Sequence, residues 1–424
     1  MEPSAILMAR LLLADILYLS TMVLRSIILF VFFVNVLTAK AQLPVNDQQL
    51  QQRYPFIRAL FNRLPVYPAL DSFYEKLWQL KQSRSGQVSV VLIGDSHTQP
   101  GYQAASLRQA LQSYFGNSGR GLVFPYQLAQ SNSPDDIRSN TTSGYWLFNR
   151  LAHPEIDLPY GLSGFGITSN QDPAGVQVQL REPGAGNQLQ LFTDSLYENQ
   201  WSYIAGTDTI QLMRDTIFPW KSIPQSVINE SGSFILTGRG SNTRKSLYGV
   251  AVTSTNPGVV VHNIGVNGAR YDHFNNASLF WQQLPALQAD LYIVSLGTNE
   301  AQARTFSEAA FSAQVSLFLQ KLKAVSPQAA VIICTAPDSY KGRYANRVLQ
   351  QLNQSLSRYC TERRLPLWDL YRITGAYGSA ASWLRRRMMN SDRIHYTAEG
   401  YRIMGNLLLS ALARGYNSFA ADKK

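Results

Sequence analysis

The chain places a serine between an aspartate and a histidine directly after a mostly apolar run. Residues 88–93 read VSVVLI, and Gly94-Asp95-Ser96-His97 follow at once. This motif is typical of an ordinary turn, because Gly, Asp and Ser favour turns. The alternative is a nucleophilic serine held at the end of a buried strand. Residues elsewhere in the chain must decide between the two interpretations.

A histidine and an aspartate that could activate Ser96 lie near the C-terminal end of the sequence. His395 follows Asp392 by three residues in the segment DRIH. At that spacing in a turn, the carboxylate can accept the Nδ1–H of the same imidazole while Nε2 faces a serine. The pattern predicts Ser96 as nucleophile, His395 as general base and Asp392 as the residue that orients the imidazole.

Hydrogen-bond donors for an oxyanion follow two further apolar runs. Gly268 comes after GVVVHNIG (258–265), and Asn299 comes after DLYIVSLG (290–297). We expect the backbone N–H groups of Ser96 and Gly268 and the side-chain amide of Asn299 to form an oxyanion hole. Capping of the following helix is the alternative role for Asn299.

These residues need a scaffold that brings distant strand ends to one edge. Apolar runs alternate with helical periods on both sides of residues 131–254, which predicts a parallel sheet covered on both faces. Ligands of such sheets bind beyond the carboxyl ends of the strands. The predicted strands are residues 88–93, 258–265, 290–297, 329–337 and 365–370. The predicted helices are residues 67–80, 102–114, 278–287, 307–325, 345–363 and 398–412.

Residues 131–254 differ in character. Short strand-like runs at 176–180, 188–192 and 233–238 are separated by Gly, Pro, Asn and Asp, a spacing typical of a β-sandwich. The sequence therefore predicts one α/β domain, residues 42–130 and 255–424, split by this inserted region. Its aromatic residues could form sugar-stacking surfaces, but core packing is the favoured interpretation. They are Trp146, Tyr160, Phe165, Tyr197, Trp201, Tyr203, Phe218 and Trp220.

The ordered motifs resemble the SGNH (GDSL-type) hydrolase family. The segments that carry the resemblance are GDS at 94–96, Gly268, GTN at 297–299 and DRIH at 392–395. Each short motif arises often by chance, whereas four in the family order are specific. The resemblance covers residues 85–125 and 258–415. It implies a flavodoxin-like α/β/α fold and serine-based ester hydrolysis without a metal or other cofactor.

Two positions depart from the family pattern: His97 replaces the usual leucine, and Glu300 replaces the usual aspartate. With GDSH, GTNE, the VNGA segment and the β-rich insertion, the chain most resembles the peptidoglycan O-acetylesterases, whose insertion is carbohydrate-binding-like. We expect Asp95, His97, Asn267 and Glu300 to support the site or contact substrate. Neighbours on an extended chain point apart, so His97 is not expected to act as the base.

The N-terminal segment predicts export. Arg25 precedes the apolar run 27–37, and Ala39-Lys40-Ala41 follows it, which is typical of a signal peptide cleaved after Ala41. Asp15 interrupts the residues before Met22, so Met22 is a candidate start. The alternative is an uncleaved membrane anchor. The expected location is the periplasm or cell envelope.

Composition restricts the partners. The 424 residues carry 38 Lys+Arg against 27 Asp+Glu, a net charge of +11 that fits solubility or contact with a cell wall or membrane. Nucleic acid is not expected, because no recognition motif accompanies the charge. Cys334 and Cys360, the only cysteines, lie in apolar or helical contexts that favour burial over a disulfide.

The function hypothesis is an exported esterase acting on an O-acetylated glycan, with peptidoglycan as the expected substrate. A lipase or lysophospholipase, another carbohydrate acetylesterase and an acetyltransferase using the same triad are alternatives. A non-catalytic glycan-binding protein is the alternative from another class. The sequence leaves the oligomeric state open.

Overall fold

The computed structural model describes Met22, Arg25 and residues 42–65, 68–154, 157–181, 188–193, 200–205, 207–211, 220–223, 232–240 and 243–423. The chain divides into two units, Met1–Pro44 and Val45–Lys424. In the first unit Met22 and Arg25 are helical. The predicted signal peptide, or anchor, at residues 1–41 otherwise lies outside the described residues. No helix in the described part of the chain has the length and apolarity to cross a bilayer.

Among the described residues of the second unit, eighteen strands form four sheets. In chain order they are β1 (Gln87–Gly94), β2 (Gly121–Val123), β3 (Ile137–Ser143), β4 (Leu147–Arg150), β5 (Phe165–Ser169), β6 (Ala174–Leu180), β7 (Gln188–Thr193), β8 (Gln200–Ala205), β9 (Asp208–Gln211), β10 (Trp220–Ile223), β11 (Ser233–Arg239), β12 (Lys245–Thr253), β13 (Gly258–Gly265), β14 (Leu291–Ser295), β15 (Ala330–Cys334), β16 (Tyr340–Lys341), β17 (Tyr344–Ala345) and β18 (Leu367–Trp368).

The α-helices cluster before β2 and after β13. They are α1 (Asp47–Arg53), α2 (Asp71–Ser83), α3 (Tyr102–Phe115), α4 (Tyr271–Asn275), α5 (Ser278–Gln283), α6 (Thr298–Gln302), α7 (Glu308–Val325), α8 (Arg347–Glu362), α9 (Leu370–Ile373), α10 (Ala380–Arg385) and α11 (Ala398–Ala421). Turns of 3-10 helix occur at Ala59–Phe61, Pro68–Leu70 and Leu284–Leu287.

A five-stranded parallel sheet is the centre of the α/β fold. Its strand order is β13-β1-β14-β15-β18, with every neighbouring pair parallel. This is the flavodoxin-like order 2-1-3-4-5. Helices α2, α3 and α11 pack together, as do α4 with α7 and α7 with α8. The predicted α/β class with a parallel sheet is confirmed.

Burial explains why these strands read as nearly continuous apolar runs. All residues of β13 and all but the first of β1 are buried, because a parallel sheet with helices on both faces leaves neither face to solvent. The register pairs Gly94 with Gly265 on one side and with Ser295 on the other. The segments that follow β1, β13 and β14 therefore start side by side at one edge.

The remaining large sheets are antiparallel and lie between β1 and β13 in the sequence. One has the order β10-β7-β12-β5-β4, with β2 also paired to β12, and the other has the order β3-β6-β11-β8-β9. Antiparallel pairing thus begins at Gly121, before residue 131, where the sequence placed the start of the insertion. The domain boundaries at 42, 131 and 255 remain predictions.

One buried apolar cluster joins these antiparallel sheets to the parallel sheet. It runs from Val91 and Ile264 through Phe124 and Phe165 to Trp201. The rings of Phe124 and Phe165 stack with centroids 5.3 Å apart. Phe165, Trp201 and Tyr203 are core residues, as the favoured interpretation predicted. Trp146 and Tyr160 are partly buried against the same core.

The other aromatic residues of the insertion are not described in full. Tyr197 and Phe218 lie outside the described residues, and so does the side chain of Trp220.

Cys334 and Cys360 are buried and unpaired, so the cysteines act as core residues as expected.

Three predicted elements differ most in extent from the structure. The helix predicted over 398–412 continues as α11 to Ala421. The strand predicted over 365–370 is limited to Leu367–Trp368, because the Asp369 side chain accepts the Arg372 N–H and caps α9. The helix predicted over 67–80 begins only at Asp71, after a 3-10 turn.

Candidate active site

Ser96 lies in a tight turn directly after β1. The Asp95 carbonyl accepts the N–H groups of Thr98 and Gln99, at 3.1 and 3.0 Å. The Asp95 carboxylate accepts the His97 N–H at 2.9 Å. Asp95 is 1% exposed, and its burial raises the pKa of its carboxyl group to about 6. Asp95 therefore anchors the turn, and Ser96 lines the cavity above it.

His395 and Asp392 lie in the loop before α11. The His395 Nε2 is 2.8 Å from the Ser96 Oγ, and the His395 Nδ1 is 2.8 Å from the Asp392 Oδ2. The structure thus brings Ser96 together with two side chains that lie almost three hundred positions later in the sequence. An imidazole between a hydroxyl and a carboxylate can pass a proton from the hydroxyl while its charge is stabilised.

The loop itself holds Asp392 in place. The second carboxylate oxygen of Asp392 accepts the N–H groups of Ile394 and His395, at 2.9 and 3.0 Å. Partial burial favours a higher pKa for Asp392, but these hydrogen bonds and the one from the His395 ring outweigh it and lower that pKa. Asp392 is therefore an anion at neutral pH, ready to orient the imidazole.

Two unused backbone donors border the same cavity. Among the described residues, neither the Ser96 N–H nor the Gly268 N–H has a hydrogen-bond acceptor. Gly268 has a φ of 83°, a left-handed conformation that favours glycine. Asn299 also borders the cavity, and its side-chain NH₂ donates to the Ala269 carbonyl at 2.9 Å, which uses one of its two hydrogens. The second is left for an oxyanion.

His97 is placed behind the catalytic candidates and does not line the cavity. It is 3% exposed, its Nδ1 is 3.0 Å from the Tyr401 hydroxyl, and its ring centroid is 5.6 Å from that of His395. Burial lowers the pKa of His97 to about 3, so this ring is neutral at physiological pH. Its position supports a packing role beneath His395.

Glu300 and Asn267 connect the loops around the cavity. The Glu300 Oε1 accepts the Tyr271 N–H at 2.9 Å, which ties the start of α4 to α6. The Asn267 N–H donates to the Gln99 side chain at 2.7 Å. Asn267 borders the cavity, whereas Glu300 does not.

Glu300 makes stability depend on pH. Burial raises the pKa of Glu300 from 4.5 to about 7. Between these values the folded chain keeps a proton that the unfolded chain has released, so the free energy of unfolding falls as the pH rises. We predict that Glu300→Gln removes this contribution, and that its Tm declines less than the wild-type Tm between about pH 5 and pH 7.5. The matched control is Glu399→Gln, at an exposed glutamate; equal declines for wild type and Glu300→Gln would contradict the prediction.

Several residues at the site were not predicted from the sequence. Gln99, three residues after Ser96, is fully buried and could have been suspected from its position in the same polar turn. The other cavity residues come from separate loops and from the starts of two helices, and no local signal marks them. They are Pro100, Tyr102, Asn132, Ser133, Asp135, Asn390, Tyr396, Thr397, Ala398 and Tyr401.

Within the described residues, no group of three or more His, Cys, Asp or Glu side chains could hold a metal ion.

Comparison with known proteins agrees with the motifs. Residues 232–403 match the GDSL-like Lipase/Acylhydrolase family, a range that includes Gly268, Asn299, Asp392 and His395 but not Ser96. A solved peptidoglycan O-acetylesterase superposes with a TM-score of 0.69 at 21% identity, covering 82% of this chain and 96% of the other. No curated protein sequence matches.

Two smaller structures align with part of the chain. A lipase/acylhydrolase from Enterococcus faecalis has a TM-score of 0.30 at 20% identity and covers 37% of this chain and 77% of its own. An acetylxylan esterase from Geobacillus stearothermophilus has a TM-score of 0.30 at 15% identity and covers 37% and 73%. The resemblance stated from the sequence is confirmed by the family match and by the shared fold.

Proposed function

Because the chain carries a GDSL-like lipase/acylhydrolase domain and is an ester-bond hydrolase, we propose that it removes O-acetyl groups from a polysaccharide, with O-acetylated peptidoglycan as its substrate. We further propose that it is exported and acts in the periplasm or cell envelope. The observation that carries the esterase proposal is the hydrogen-bonded order Ser96 Oγ, His395 ring, Asp392 carboxylate.

The reaction proceeds in two steps. The Ser96 Oγ attacks the acetyl carbonyl while the His395 Nε2 takes the hydroxyl proton, and Asp392 stabilises the imidazolium. The N–H groups of Ser96 and Gly268 and the Asn299 amide stabilise the oxyanion. His395 then protonates the departing sugar oxygen. Water, deprotonated by His395, attacks the acetyl-serine and releases acetate, and the proton returns to Ser96.

The cavity supports a polar substrate. Its volume is about 730 Å³, far more than an acetyl group needs. Of the described residues that line it, none is Leu, Ile, Val, Phe, Met or Trp. A fatty acyl chain requires an apolar surface to bury its methylene groups. The lining therefore favours a glycan over a lipid, and the relative with the similar fold is itself a peptidoglycan O-acetylesterase.

The test is acetate release from O-acetylated sacculi, with chemically de-acetylated sacculi as the blank. Acetylated xylan and a p-nitrophenyl ester of a long-chain fatty acid serve as competing substrates. We expect the acetylated sacculi to give the highest kcat/KM. A preference for the long-chain ester would establish a lipase, and acetyl transfer to an added sugar in place of acetate release would establish a transferase. No turnover of any ester would leave a glycan-binding protein.

Loss of one oxyanion donor has a predictable effect. We predict that Asn299→Ala lowers kcat about 10²- to 10³-fold with little change in KM, because the donor acts on charge that develops in the transition state. A thermal melt checks that losing the bond to Ala269 leaves the fold intact. A loss below about fivefold would assign Asn299 to the support of this loop.

A further inference from the structure

The start of the insertion forms part of the cavity that contains Ser96. We name residues 131–136 the rim segment. Asn132, Ser133 and Asp135 of this segment line the cavity together with Ser96 and His395. The inserted region thus contributes side chains to the cavity that contains the proposed nucleophile.

Hydrogen bonds fix one end of the rim segment to the catalytic loops. The Gln99 Nε2 donates to the Ser131 Oγ and the Asn132 carbonyl, both at 2.8 Å, and lies 3.0 Å from the Asn132 Oδ1. The Asn267 Nδ2 donates to the same Oδ1 at 2.6 Å. Gln99 is fully buried. The segment is therefore held by the turn that carries Ser96 and by the loop that carries Gly268.

Ion pairs and close packing fix the other end. Arg120 and Arg108 both pair with Asp136, with the Arg120 Nη2 3.0 Å from its Oδ1. Pro134 packs on Gly101, where an added Cβ would lie 3.1 Å from the proline ring. Because the rim segment is held at both ends, it is preorganised and loses little conformational freedom when a ligand binds to it.

The side chain of Asn132 has donors to spare. Its Oδ1 accepts from the Asn267 NH₂ and faces the Gln99 Nε2 at 3.0 Å, which fixes the orientation of the amide. Its NH₂ group has no acceptor among the described residues. The side chain is exposed and borders the cavity, so this group is accessible to a ligand. Two oriented N–H donors suit sugar hydroxyls or an acetamido carbonyl. Asp135, exposed in the same segment, lies 4.0 Å from the Arg402 guanidinium and hydrogen-bonds to Tyr102. Its remaining lone pairs can accept from hydroxyl groups.

We propose that Asn132 is a specificity-determining residue that binds the sugar half of the ester through its side-chain NH₂ group, with Asp135 completing the wall. This deepens the proposed function and rests on it. The insertion then acts as a component of the substrate cleft. Alkyl and aryl acetates lack these hydroxyl and amide groups, so they form no hydrogen bonds with the rim segment.

The test is Asn132→Asp, assayed on acetylated peptidoglycan fragments and on p-nitrophenyl acetate. Aspartate keeps the acceptor for Gln99 and Asn267 but removes both N–H donors, so it separates binding from support of the loop. We expect KM for the fragments to rise about tenfold, with a change of less than about twofold in kcat/KM for p-nitrophenyl acetate. The matched control is Asn140→Asp on the exposed face of β3, which should change neither KM nor kcat/KM for either substrate.

Three outcomes would overturn the proposal. Equal losses on both substrates, or no loss on the fragments, would show that Asn132 does not bind the sugar although the enzyme is a glycan esterase. A wild-type protein that hydrolyses p-nitrophenyl acetate but no acetylated glycan would refute the proposed function itself. The wild-type assay therefore distinguishes the two failures.

Discussion

Replacing Ser96 by alanine is expected to lower kcat for acetate release by about 10⁴-fold or more while the protein stays folded. The Ser96 Oγ makes one hydrogen bond to a described residue, the 2.8 Å contact with the His395 Nε2. The His395 ring is partly exposed, so water can replace the lost hydroxyl and no buried polar group is left unpaired.

Acetate release and a thermal melt, measured on the same preparation, provide the check. Ser113→Ala is the matched control, because Ser113 is an exposed serine whose hydroxyl bonds only within α3. It should keep both kcat and Tm. Near-normal turnover by Ser96→Ala would exclude the acyl-enzyme mechanism.

Asp392→Asn is expected to lower kcat about 10³- to 10⁴-fold through the tautomer of His395. Asparagine can keep its Oδ on the Ile394 and His395 N–H groups. Its NH₂ then faces Nδ1, which must accept instead of donate. The proton moves to Nε2, and the imidazole can no longer accept from Ser96.

The pH profile provides a readout that loop damage would not mimic. The residual activity of Asp392→Asn should rise with hydroxide concentration, because hydroxide ion then acts as the base in place of His395. The matched control is Asp422→Asn, at an exposed aspartate, which should keep the wild-type pH profile. A decrease of less than tenfold in kcat would mean that other groups fix the imidazole.

The sequence predicted the α/β class and the meeting of the four motifs well, for a physical reason. β1, β13, β14 and β15 are buried on both faces, so apolar runs and strands coincide. A glycine at the end of β1, in register with Gly265 and Ser295, then brings the motifs together. The short Asp392–His395 spacing makes that contact almost local.

What the sequence could not provide is long-range and polar. The pairing of β2 with β12 joins segments more than a hundred residues apart, and three residues carry little periodicity. The position of Asn132 beside Ser96 depends on Gln99 and Asn267, two amides with no distinctive local pattern. The role of His97 was predicted only in part. Chain geometry indicated that His97 is not the general base, but its contact with Tyr401 could be seen only in the fold.

The strand order also bears on the order in which the chain can fold. β1 is an inner strand of the sheet, yet both of its neighbours, β13 and β14, are synthesised after residues 95–257. Until then a highly apolar strand has two unpaired edges, the arrangement most prone to aggregate. Holding chaperones should therefore matter most in the interval between emergence of β1 and emergence of β14, and shortening the insertion should shorten that interval.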